Sequence, residues 1–279
     1  MLQTMKKLTG YAIHANDGVI GKLRDVLFDD VQWTTRYLVV DTGGWLSGRQ
    51  VLLSPHAVTS VDAENQRVVV DLTKHQIEDS PPLSSDQPVS RQYEIAHSGY
   101  YGLPTYWGTP STFGIAPMFG IPPGNKGYRM RDLSGAVAKD PNQQAAQDVH
   151  DEQILREGSN PHLRSVNEVS GYALIADDGE VGNVTDFIID DQGWACRYLI
   201  IATGSWWSGR QLLISPHWVS DIRWSDAQVF VHMLRSVIKQ APTYTNLESV
   251  TRAYEVEVHS HYQRHGYWLN EPDSHHQLT

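Results

Sequence analysis

Cysteine is almost missing from this chain: Cys196 stands alone in 279 residues. An intrachain disulfide is excluded, and so is a zinc site built on cysteines. The position equivalent to Cys196 in the internal repeat described below is Thr35, which favours a small packed residue over a nucleophile. Basic residues are also scarce. Lys and Arg number 22 against 32 Asp and Glu, a formal net charge of -10. Such a chain is repelled by phosphate backbones, so bulk nucleic-acid binding is disfavoured. Long apolar runs are absent. The opening MLQTMKKLTGYAIHANDG has none after its lysines, so no secretory signal is expected. No segment approaches the roughly 20 apolar residues of a membrane span, and a cytoplasmic location is the expectation.

What is present is a sentence written twice. Residues 41–56 read DTGGWLSGRQVLLSPH, and residues 202–217 read ATGSWWSGRQLLISPH. A constant shift of 161 residues, as from Gly10 to Gly171, aligns the two halves without a gap. Gly10-Tyr11-Ala12, Asp17-Gly18, Gly21, Asp25, Asp29-Asp30, Trp33 and Arg36-Tyr37-Leu38 all recur. Further on, Pro81, Tyr93-Glu94, Tyr101 and Tyr106-Trp107 recur as Pro242, Tyr254-Glu255, Tyr262 and Tyr267-Trp268. A period this long means tandem domains, each followed by an arm, since solenoid repeats are far shorter.

Within the first unit, short runs rich in Val, Ile, Leu and Tyr predict strands at 11–14, 21–29, 35–41, 49–54 and 67–72. Turn signals separate them, and Asn16-Asp17-Gly18 is a hairpin signal because these residues tolerate positive φ. No helical pattern is long enough for a crossover, so the expected class is mainly β: two tandem small antiparallel barrels or sandwiches with short helical arms. The expected division is a first barrel at 1–80, a helical arm and a Gly/Pro/aromatic-rich connector at 81–160, a second barrel at 161–243, and a C-terminal arm with a polar tail at 244–279. Asp86 is the expected N-cap of the first arm helix, from Pro88 to Ile95, and Asn246 to His265 reads as the second. Residues 140–157 suit a short polar helix.

The assembled motifs resemble the PRC-barrel family, known from the photosynthetic reaction-centre H subunit and from ribosome-maturation factors. They are the Asp-Gly-x-x-Gly hairpin, the Asp-x-x-x-Asp strand end, Arg-Tyr-Leu, and a late strand ending Leu-x-Ser-Pro, carried with small variations by residues 7–80 and 161–243. The chain is similar to bacterial stand-alone proteins with two such barrels, which also carry a segment like 160–166 before the second barrel. The resemblance implies an assembly or docking module and implies no reaction.

Several candidate sites stand out on that background. The Trp-x-Ser-Gly-Arg-Gln element reads first as a hairpin, with Ser-Gly at the turn, Trp over the barrel end and Arg paired with a carboxylate. Its functional reading is a docking surface made of Trp45, Arg49, Trp206, Trp207 and Arg210, with the arm residues Trp107 and Trp268 beside it, because Trp and Arg are enriched at interface hot spots. Ser54-Pro55-His56 and Ser215-Pro216-His217 lack the acid and oxyanion hole of a Ser-His catalyst. Asp29-Asp30 lacks the alternating oxygens of a calcium loop. His261 and His265, spaced i and i+4, could bind a transition metal, but a polar helix end explains them, as a disordered tip explains His275 and His276. The expectation is a binding protein without a catalytic, cofactor or metal site, acting on an unidentified protein partner or as a homo-oligomer. The alternatives are an enzyme or small-molecule binder with a pocket between the barrels, and an RNA- or ribosome-associated factor. The aromatic arms are expected to pack on barrels.

Overall fold

A computed structural model of the protein describes residues 1–46, 48–81, 83, 89, 91–103, 162–204 and 209–269. The chain opens with β1 (Leu2–Thr4) and α1 (Met5–Leu8). There follow β2 (Ala12–Ala15), β3 (Gly18–Asp29), β4 (Thr34–Asp41), β5 (Gln50–Leu53), β6 (Val58–Asp62), β7 (Arg67–Val70), α2 (Lys74–Glu78) and α3 (Arg91–Tyr101). The second half begins with β8 (Leu163–Ser165) and α4 (Val166–Val169). It continues through β9 (Ala173–Ala176), β10 (Gly179–Asp190), β11 (Cys196–Thr203), β12 (Gln211–Ile214), β13 (Val219–Arg223), β14 (Gln228–Val231), α5 (Arg235–Lys239), β15 (Thr243–Tyr244) and α6 (Arg252–His261).

These strands make two sheets with the same order, β5-β4-β3-β2-β7-β6 and β12-β11-β10-β9-β14-β13. In each, the pairing is antiparallel except where β7 meets β2 and β14 meets β9. The predicted strands lie within a few residues of the observed ones. The sixth, β6, is absent from the expectation, because Val58-Thr59-Ser60-Val61-Asp62 shows only partial alternation and carries a bulge between Val58 and Ser60. The first arm helix runs later than expected, over Arg91–Tyr101, and Asp86 lies outside the described residues. The second arm divides in two. Asn246 caps a single 3-10 turn at Leu247–Ser249, and Thr251 caps α6. The connector, the helix expected at 140–157 and the tail histidines lie outside the described residues.

The chain forms two compact units. The first holds Lys7–Ser165 with Met1 and Asp190–Ala195; the second holds Leu2–Lys6, Val166–Ile189 and Cys196–Thr279. Sequence proximity therefore misassigns two short segments. β8 directly precedes the second set of strands but pairs with β3 in the first unit, with Ser165 opposite Leu27 and Leu163 opposite Asp29. β1 precedes the first set but pairs with β10 in the second unit. Period-2 patterning is unreadable in three residues, so neither strand shows in the sequence.

Each unit buries its own apolar cluster on the sheet face that meets the arm. In the first, Leu27, Tyr37, Val39, Leu52 and Leu163 pack together, with Tyr93 against them. In the second, Ile188, Tyr198, Ile200, Leu213 and Tyr244 pack together, joined by Leu2, Tyr254 and Tyr267. In the described part of both arms, Tyr93, Tyr254 and Tyr267 pack against these clusters, as expected of the aromatic arms.

Candidate functional site

The duplicated Trp-x-Ser-Gly-Arg-Gln element resolves into local structure. Gly48 and Gly209 take φ of +77° and +59°, the left-handed values that the turn requires. Among the described residues neither arginine pairs with a carboxylate. Arg49 donates to the carbonyl oxygens of Glu78 and Ser80, at 3.2 and 2.5 Å. Arg210 donates to the carbonyls of Lys239 and Ala241, at 3.1 and 2.9 Å, and to Thr243 Oγ1. The guanidinium fork gathers the orphan carbonyls at the C-terminal ends of α2 and α5, which is why arginine stands there. Trp45 is half-buried with the Lys74 ammonium 5.7 Å from its ring centroid, and Trp206, Trp207 and Trp107 lie outside the described residues. Trp268 packs on α6, 5.0 Å from the His259 ring, with the Arg252 guanidinium 4.3 Å from its centroid. Lysine has one compact head and cannot reproduce the fork. Arg210→Lys should therefore lower stability by about 1–3 kcal/mol, as one charge-assisted contact is lost, and a chemical-denaturation midpoint reads the change.

Sequence reasoning missed what lies between arm and sheet. In the first unit Glu94, fully buried, accepts from Tyr37 Oη at 3.3 Å. His97, also fully buried, lies edge-on to Tyr37 at 5.2 Å and donates from Nε2 to the Leu52 carbonyl at 2.9 Å, while its Nδ1 is buried without a partner. In the second unit Glu255 accepts from Tyr198 Oη at 3.1 Å and Tyr267 Oη at 2.8 Å, and its other oxygen meets Arg252 at 2.9 Å. His259 Nδ1 lies 2.9 Å from the His265 carbonyl, which can only accept, so Nδ1 carries the hydrogen and neutral Nε2 faces Tyr198 Oη at 3.2 Å as an acceptor. Tyr198 thus has one proton for two acceptors, and burial pushes its phenol pKa up. The recurring Tyr-Glu pair was the available signal. A glutamate one position from a tyrosine, in a helix opposite a strand tyrosine, marks a buried carboxylate that needs hydroxyl donors.

The docking of the two arms is equivalent. Tyr93 and Tyr254 donate to the Pro81 and Pro242 carbonyls, at 2.9 and 3.4 Å. Tyr100 Oη and His261 Nε2, at equivalent positions, each lie 2.8 Å from an equivalent carbonyl, of Gln76 and Val237. His261 is engaged there, and among the described residues no cluster of three or more potential ligands could hold a metal.

Burial holds the imidazoles of both His97 and His259 below their ordinary pKa. In the unfolded chain they protonate near pH 6.5. Below that pH the unfolded state binds protons that the folded state refuses, so stability falls as pH drops from about 7 towards 5. Burial likewise holds down His56 and His217. A chain carrying His97→Gln and His259→Gln should show a smaller difference in melting temperature between pH 7.5 and pH 5 than the parent, with the remainder from His56 and His217. An undiminished difference would count against this account.

The strand ends are sites of capture. Asp25 accepts from Ser165 Oγ, and Asp30 pairs with Arg164 and His162, all on or beside the incoming β8. Asp186, equivalent to Asp25, accepts the Lys6 N–H at 3.1 Å just after β1. Asp25, Asp30 and Asp186 therefore latch segments from elsewhere in the chain. Asp29 does make a turn, accepting from the amides of Val31 and Gln32 at 2.8 and 2.9 Å.

No helix among the described residues is long and apolar enough to cross a membrane. A comparison of the chain with curated proteins returns no match. Residues 6–77, spanning the strands β2 to β7 and most of α1 and α2, match the family model of the PRC-barrel domain.

Proposed function

We propose that the protein is a tandem PRC-barrel protein that works by binding rather than by catalysis, through protein–protein contacts or self-assembly. One observation carries the reading. Both sheets take in a strand and a helix from outside their own run of strands, at equivalent positions and with equivalent hydrogen bonds. A sheet edge that accepts a strand by main-chain pairing, with side-chain pockets reading alternate residues, is a peptide-recognition device. Two linked sites gain affinity through effective concentration. The acidic net charge of -10 turns the reading away from RNA and towards protein.

Size measurement by light scattering, run beside affinity capture with the full chain, tests the proposal. Self-association or a saturable, stoichiometric protein complex is the expected result. A monomer that binds no protein but turns over a substrate, with turnover lost in Glu255→Gln at unchanged melting temperature, would replace this reading with the enzymatic one.

A further inference from the structure

The two captured strands are related by the same 161-residue shift as the rest, Leu2-Gln3-Thr4 answering Leu163-Arg164-Ser165. Their register agrees as well. The Asp30 amide donates to the His162 carbonyl at 2.9 Å, and the equivalent Asp191 amide donates to the Met1 carbonyl at 3.0 Å. The leucine of each strand joins the apolar cluster of its host, Leu163 with Leu27 and Tyr37, and Leu2 with Ile188 and Tyr198. Each host is therefore an acceptor edge for a short strand written Leu-x-Ser/Thr, and one chain supplies two different sequences that fit.

Neither strand belongs to the run of strands that accepts it. This is the arrangement of exchanged elements, in which the donor makes the same bonds whichever chain supplies it. β1 is short. Its three residues are held by Leu2 in the apolar cluster, by the buried Gln3, by the Met1 carbonyl on the Asp191 amide and by the Lys6 N–H on Asp186.

We propose that the β10 edge of one copy takes the Leu2–Thr4 strand of a second copy, so that two chains form a strand-exchanged dimer. An exchanged strand makes the same pairing and buries the same leucine as the tethered one it replaces, so concentration decides between them. The tethered strand wins in dilute solution, and the exchanged form grows as concentration approaches the effective concentration of the tether, on the order of 1 mM. The inference goes beyond the binding reading and stands on topology alone; that reading survives its failure, because a different protein could still bind.

The test mixes unlabelled and isotopically heavy full-length chains and follows mixed-mass dimers by native mass spectrometry, from about 10 µM to about 1 mM. Two variants accompany the parent: Leu2→Asp, which unseats the leucine, and Lys6→Pro, which removes the N–H that Asp186 accepts. Circular dichroism reports that each variant is folded, and Lys6→Pro alone decides the outcome if Leu2→Asp is not. The expected result is a mixed dimer that rises with concentration and falls at least tenfold in each folded variant. Absence of a mixed dimer at the highest concentration overturns the proposal, as does a mixed dimer that either folded variant leaves at its parental level.

Discussion

Gly21→Ala and Gly182→Ala should each destabilise one unit by about 3 kcal/mol or more, at the upper end of what overpacking costs. A Cβ built on Gly21 would lie 2.1 Å from the Asp41 carbonyl oxygen and 2.9 Å from the Thr42 Cα. On Gly182 it would lie 2.1 Å from the Ala202 carbonyl oxygen. The obstacle is backbone in a paired strand. β4 is bonded to β3 on one side and β5 on the other, so it cannot retreat without breaking a ladder. Each glycine also adjoins a register shift, between Ile13 and His14 on β2 and between Glu180 and Gly182 on β10, where the long strand bends sharply. Urea unfolding should show two transitions, and each substitution should move the midpoint of one and spare the other. A shift below about 1 kcal/mol in either variant would show that the strands yield more easily than their pairing implies.

Trp194→Ala should cost about 3–5 kcal/mol, the range for emptying a buried tryptophan site. Trp194 is 1% exposed and heads the largest fully buried side chains. It sits at φ +54°, as does Trp33, whose ring stacks on Phe28 at 5.3 Å. A bulky residue in the left-handed region is uncommon, and the burial of the indole is what holds it there. The Trp194 indole N–H is buried without an acceptor. Trp194→Phe, which keeps an aromatic ring in the site and removes the unpaired donor, should cost less than Trp194→Ala, which empties it. Thermal unfolding of the two variants side by side measures the difference. Equal losses would show that the volume of the ring is not what the site requires.

Much of this was legible in the sequence, for a physical reason. Repeated glycines, aspartates and tryptophans sit where backbone geometry leaves no alternative, as at Gly21 and Trp33, and such positions read clearly when written twice. The strands β2 to β5 and β7 followed from turn residues and alternation, and the repeat carries them over to the second sheet. Three features did not read. The arginines at 49 and 210 find carbonyl groups, which every residue carries, so composition gives no hint of the partner. β1 and β8 are too short for a period, and their partners lie more than a hundred residues away. The buried histidines escaped the alignment altogether. The 161-residue shift pairs His97 with Val258, whereas the histidine that reaches the sheet in the second unit is His259. Neighbouring positions on a helix point about 100° apart, so the two arms deliver an imidazole to their sheets from different helical angles. Grafting the sequence of α3 onto the second unit at the aligned positions would place an imidazole at the buried position of Val258 and remove the one at 259.

The captured strands also impose a schedule on synthesis. Leu2–Thr4 leaves the ribosome about 180 residues before its host strand, Gly179–Asp190. At roughly 5–20 residues per second, the wait is on the order of 10 to 40 s. The first unit waits too, since Leu163–Ser165 must emerge before β3 has its neighbour. A nascent chain that has not yet reached β8 thus carries an unclaimed Leu2–Thr4 strand and an unfilled edge in its first sheet. Ribosomes following closely on one message would hold such halves side by side, so the spacing of ribosomes becomes a variable in whether chains finish alone or paired.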